Sequence, residues 1–113
     1  MIQVTKVQQN LRWTFDGTHI LALVSATDSR NFFQPSGWTE TYHHKSVYHD
    51  SSYAYIETYD TFYNQPFCGG TRIGYSPMTL LGRGDGTVTG SVYTYATGCD
   101  TNLLGWYSWI WAW

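Results

Sequence analysis

Apolar and polar positions alternate with a period of two along most of this chain, the pattern of strands that turn one face inward. "IQVTKV" sets Ile2 and Val4 against polar neighbours, and "LRWTF" puts Leu11, Trp13 and Phe15 on one face. "THILALV" is a continuous apolar run, which predicts a strand buried on both faces. In "SSYAYIETYDTFY", Tyr53, Tyr55, Glu57, Tyr59, Thr61 and Tyr63 share one face, and Ala54, Ile56, Thr58, Asp60 and Phe62 share the other. The polar Thr58 and Asp60 make that second face inward only in part. The final "GWYSWIWAW" alternates Tyr107, Trp109, Trp111 and Trp113 with Ser108, Ile110 and Ala112. Its aromatic row reads either as a strand that closes the core or as a platform for a ring-shaped ligand, a lipid interface or a partner chain.

Turn residues separate these runs: Asp16-Gly17, Pro35 with Gly37, Gly69-Gly70 and Asp85-Gly86. Asp-Gly supplies the positive φ angles of tight hairpin turns, so "MTLLGRGDGTVTGSVYTYA" predicts a hairpin. The same turn explains Arg83-Gly84-Asp85, a tripeptide otherwise known from integrin recognition, with Asp85 as a turn-stabilising residue. No segment carries a sustained helical period with caps. The expected fold is all-β, a small antiparallel β-sandwich or barrel of about seven or eight strands, with residues 1–113 as one domain.

Composition then narrows the function. Six Lys and Arg against eight Asp and Glu give a net charge of -2 with no basic run, which argues against binding driven by phosphate neutralisation. Charged residues make up 12% of the chain, about half the usual share, while aromatics reach 19%. A core this small cannot hide all of them. No run of about 18 apolar residues is present, so no transmembrane segment is expected. "MIQVTKVQQN" lacks the shape of a signal peptide, so an exported form has already lost its leader.

Cys68 and Cys99 flank the predicted hairpin, and a disulfide between them would add on the order of 3 to 4 kcal/mol by closing that loop. That pairing fits a secreted, extracellular protein. Two free thiols or a metal pair are the alternatives.

"WTETYHHKSVYHD" holds three of the four histidines. If residues 38–49 form one strand, His43 and His49 share a face, His44 points the other way, and His43 and His49 stand roughly 20 Å apart. They could not then ligate one ion, and a zinc site would need a turn near Lys45 and Ser46 with a third ligand such as Asp50 or Glu40. No metal or other cofactor is therefore expected. His49 beside Asp50 supplies no acid/base pair, because adjacent strand residues face opposite sides. His44, Glu57 and Arg72 could imitate the His, Glu and Arg of small secreted ribonucleases, but a well-placed second histidine is missing. The chain is not expected to be an enzyme.

Within this stretch, "YHHKSVYHDSS" resembles a segment of the lactococcin-type, septum-blocking bacteriocins, at Tyr42, His43, His44, Ser46 and His49, with Ser51 or Ser52. Members of that family are small secreted proteins, rich in Tyr and Trp, with β-sandwich folds and an aromatic end, as in "WAW". The resemblance covers about a tenth of the chain; the two cysteines and the mildly acidic balance depart from it. It implies binding to a lipid-linked peptidoglycan precursor and antibacterial, toxin-like activity.

The expected function is thus a secreted, non-enzymatic module that docks on a cell-wall precursor or surface glycan. Trp38, Tyr42, His43, His44, His49, Tyr53, Tyr55, Trp109 and Trp111 are the candidate contacts. A carbohydrate-binding, lectin-like module uses the same physics. The competing class is a structural subunit of an oligomer, filament or toxin complex, where the aromatics would form a protein interface.

Overall fold

The computed structural model describes residues 5–32, 37–65 and 70–98, together with residue 108. Six strands are present among them: β1 (Thr5–Phe15), β2 (Ile20–Phe32), β3 (Trp38–His49), β4 (Tyr53–Asn64), β5 (Thr71–Arg83) and β6 (Val88–Thr97). All neighbours are antiparallel, in a two-stranded sheet β1-β2 and a four-stranded sheet ordered β3-β4-β5-β6. The described fold is all-β without helix, and six strands replace the expected seven or eight. Among the described residues "LRWTF" does not start a new strand, and the expected strand "GWYSWIWAW" lies, but for Ser108, outside them. β1 carries the chain from Thr5 through Asn10 to Phe15, absorbing register shifts at Arg12/Trp13 and Thr14/Phe15.

The β1-β2 hairpin packs over one face of the larger sheet, β1 against β4 and β5, and β2 against β3 and β4. Alternation on β4 decides the layering: Ala54, Ile56, Thr58, Asp60, Phe62 and Asn64 are all buried, while the odd positions between them are half-exposed. The inward face expected to be partial is therefore complete: Gln9 of β1 donates to Thr58, and Asp60 Oδ1 faces His43 of β3 and Arg30 of β2. Trp38, Phe62 and Ile73 form the apolar centre, with Val7, Phe32, Tyr75 and Ala96 packed around it. The Phe62 ring lies 5.6 Å from Phe32 and meets Tyr75 edge-on at 6.1 Å. β2 corrects a second expectation. Ile20 is buried, but Leu21 is 64% and Val24 57% exposed, so its apolar run is covered on one side only.

An aspartate builds each of the three hairpin turns at the other end. Asp16 Oδ1 accepts from the backbone of Thr18 at 2.9 Å and His19 at 2.7 Å. Asp50 Oδ1 accepts from Ser52 and Tyr53, and Asp85 Oδ1 from Thr87 at 3.0 Å. Backbone bonds then tie the turns together, Ile20 N–H to Ser51 O and Gly17 N–H to Gly84 O, each 2.9 Å. These bonds close the hairpin onto the sheet at that end.

Candidate functional site

On the face of the four-stranded sheet turned away from the hairpin, register sets the side chains in rows. β4 contributes Tyr53, Tyr55, Glu57, Tyr59, Thr61 and Tyr63; β3 sets Tyr48 opposite Tyr55, Ser46 opposite Glu57, His44 opposite Tyr59 and Tyr42 opposite Thr61. From β6, Tyr95 reaches across Gly74 toward Thr61, with the two hydroxyl oxygens 3.4 Å apart. A Cβ at Gly74 would sit 2.1 Å from the Tyr95 ring, so the glycine lets that ring lie on the sheet. Tyr42 is 54% and Tyr48 51% exposed. The face is a lattice of phenol rings with hydroxyl, imidazole and carboxylate groups between them.

Glu57 is its electrostatic centre. Tyr55 donates to Glu57 Oε2 at 2.5 Å, and burial together with that carboxylate pushes the Tyr55 phenol up to about 12. The same carboxylate, as hydrogen-bond acceptor, raises Tyr59. The Tyr48 ring lies tilted against Tyr53 at 5.5 Å, and its hydroxyl donates to Asp50, which raises its pKa too. At the far end the Arg72 guanidinium lies 5.5 Å over the Tyr63 ring.

Four of the expected contact residues, Tyr42, His44, Tyr53 and Tyr55, thus share this face. Trp38 does not: it is 3% exposed in the core. A bulge at Thr41 is the cause. The register slips between Glu40 and Tyr42, so Trp38 and Glu40 point inward although Tyr42 and His44 on the same strand point outward. His43 also points inward, and His49, opposite Ala54, is exposed at the end of β3. Trp109, Trp111, Cys68 and Cys99 lie outside the described residues. His44, Glu57 and Arg72 lie on the outer face, but the rows of Glu57 and Arg72 are six residues apart, roughly 20 Å. That separation is too great for one reaction centre.

The inward slip creates an ionic cluster in the seam between the sheets. His43 Nδ1 lies 2.7 Å from Asp60 Oδ1, and its Nε2 lies 3.2 Å from Arg30 Nη1. Arg30 donates from Nε to Glu40 Oε2 at 3.0 Å and from Nη1 to Asp28 Oδ2 at 3.2 Å. Lys45 Nζ stands 3.6 Å from Asp28 Oδ1. Asp60 is wholly buried, which raises its pKa against the lowering pull of His43. Period-two reading missed this cluster, since pairing His43 with Asp60 requires knowing which strand lies beside which. No family model, curated protein or solved structure matches the chain.

Proposed function

We propose that the chain is a non-enzymatic binding module that docks on a cell-envelope ligand through the outer face of the β3–β6 sheet. The observation that carries this is the meeting of Tyr42, His44, Tyr53 and Tyr55 with Tyr48, Tyr59, Tyr63 and Tyr95 on that face. Phenol rings stack on sugar rings or settle at a lipid-water boundary, and their hydroxyls, with His44 and Glu57, orient what they hold. The resemblance of Tyr42 to Ser52 to the lactococcin-type bacteriocins supports a secreted, antibacterial, toxin-like role with a lipid-linked cell-wall precursor as ligand. The hydrogen-bonded pairs Tyr55 with Glu57 and Tyr95 with Thr61 favour a second reading, a lectin-like module for a surface glycan.

The test is a fluorescence titration with a lipid-linked peptidoglycan precursor in micelles, beside empty micelles and a soluble cell-wall oligosaccharide. Saturation with the precursor alone supports the envelope binder, and saturation with the oligosaccharide supports the lectin. Silence in every arm, with obligate assembly by size analysis, makes the chain a structural or toxin-complex subunit.

A further inference from the structure

The ionic cluster in the seam owes nothing to the outer face. Glu40 and His43 on β3 and Asp60 on β4 each offer one donor atom, and the three atoms lie within 4.8 Å of one another. Asp28, Glu40 and Asp60 bring three negative charges, while Arg30 and Lys45 bring two positive ones, leaving -1 with a neutral imidazole. One donor is also unused: Asp60 Oδ2 is buried and has no hydrogen-bond partner, although Asp60 Oδ1 is engaged by His43. Leaving a buried carboxylate oxygen without a partner is costly, so a native site has reason to fill it.

We propose that Glu40, His43 and Asp60 form a binding site for a divalent transition-metal ion of the zinc class. One imidazole and two carboxylates are a donor set that zinc accepts, with a fourth position open to water. Arg30 is the resident cation. Its side chain is 31% exposed and can swing to solvent when an ion enters. Exchanging that single charge for a double one takes the cluster from -1 to 0. With His43 Nδ1 on the ion, the Nε2–H turns to Asp28 Oδ2, 3.4 Å away, the carboxylate that then fixes the ring's tautomer.

The full chain, stripped with a chelator, is titrated with zinc chloride by calorimetry, and the histidine ring nitrogens are followed by NMR. One ion per chain is expected, with the ring signals of His43 moving. Glu40→Gln and His43→Gln should each weaken uptake at least about tenfold. Arg30→Gln, which removes the competing cation, should strengthen it. His44→Gln, His49→Gln and a Cys68→Ser, Cys99→Ser double variant should bind as the natural chain does. Circular dichroism checks that each variant folds, and Glu40→Gln carries the test if His43→Gln does not. No stoichiometric uptake, uptake by Arg30→Gln alone, or uptake indifferent to Glu40→Gln would overturn the site.

Discussion

The Trp13 indole closes over Gly82: a Cβ at Gly82 would lie 2.7 Å from three of its ring atoms, and its Nε1–H donates to the Arg83 carbonyl at 2.9 Å. One contact thus joins the hairpin to the sheet. Gly82→Ala should push the indole off and break that bond, at a cost of about 1 to 3 kcal/mol. Denaturant unfolding measures the loss, and an unchanged midpoint would mean that the seam yields without strain.

Gln9 and Thr58 make a polar bond at the same seam, Gln9 Nε2 donating to Thr58 Oγ1 at 2.8 Å and to Met78 O at 2.7 Å. Gln9 Oε1 is buried without a partner. Thr58→Val strands part of an amide already short of partners and should cost about 1 to 3 kcal/mol. Adding Gln9→Leu removes the stranded group and should recover much of that loss. A double-mutant cycle that comes out additive would show that the two residues do not interact.

Strand alternation was readable wherever one strand decided the matter. Residues 53–63 show both faces of β4, and residues 38–49, considered as one strand, form one. What escaped depended on a partner. The Thr41 bulge leaves no mark in composition, yet it sends Trp38 to the core and His44 to solvent. "THILALV" looked buried on both sides because hydropathy does not say that only one layer covers β2. A signal for the joined turns was present, in Asp16-Gly17-Thr18, Asp50-Ser51-Ser52 and Asp85-Gly86-Thr87, each an aspartate two residues before a hydroxyl. That spacing supplies a carboxylate acceptor for the backbone N–H two positions on.

Acid should act through those turns. Backbone N–H donors lower Asp16 and Asp50 below the ordinary 3.8, and the Thr87 hydroxyl, then its N–H, lowers Asp85. A carboxylate lowered on folding contributes stability that is present above its unfolded pKa and is lost as pH falls through the folded one. The thermal midpoint should therefore drop between about pH 4 and pH 2. Asn at all three positions keeps an acceptor oxygen without the charge, and should flatten that drop. An equally steep fall in the triple variant would place the acid sensitivity elsewhere.

Alkali acts with the opposite sign through Tyr55. Its phenol ionises at about 12 when folded against an ordinary 10.0, so the native state keeps a proton that the unfolded chain has lost. Stability is whole below pH 10.0 and declines as pH rises toward about 12. Burial is the larger cause and Glu57 the second, so Glu57→Gln should lower the Tyr55 pKa without restoring it fully. Phenolate absorbance in wild type, Glu57→Gln and Tyr55→Phe isolates the transition. The assignment fails if Tyr55→Phe leaves the latest-titrating phenol in place.

The sharpest contrast separates the outer face from the core on the same pair of strands. Tyr53 is half-exposed and lies tilted against the Tyr48 ring at 5.5 Å, and Tyr55 donates its hydroxyl to Glu57. An aromatic pair of this kind is worth about 0.5 to 1.5 kcal/mol beyond its buried area. Trp38, at 3% exposure against Phe62 and Ile73, should cost about 3 to 5 kcal/mol when cut to Ala. The Tyr53→Ala, Tyr55→Ala double variant should thus lose envelope or glycan binding with a modest fall in midpoint, whereas Trp38→Ala should lose much of its stability. Paired binding and melting curves decide the matter. If the double variant melts as early as Trp38→Ala, the tyrosines are structural and the outer face is not the site; if it melts late and still binds, the ligand lies elsewhere on the chain.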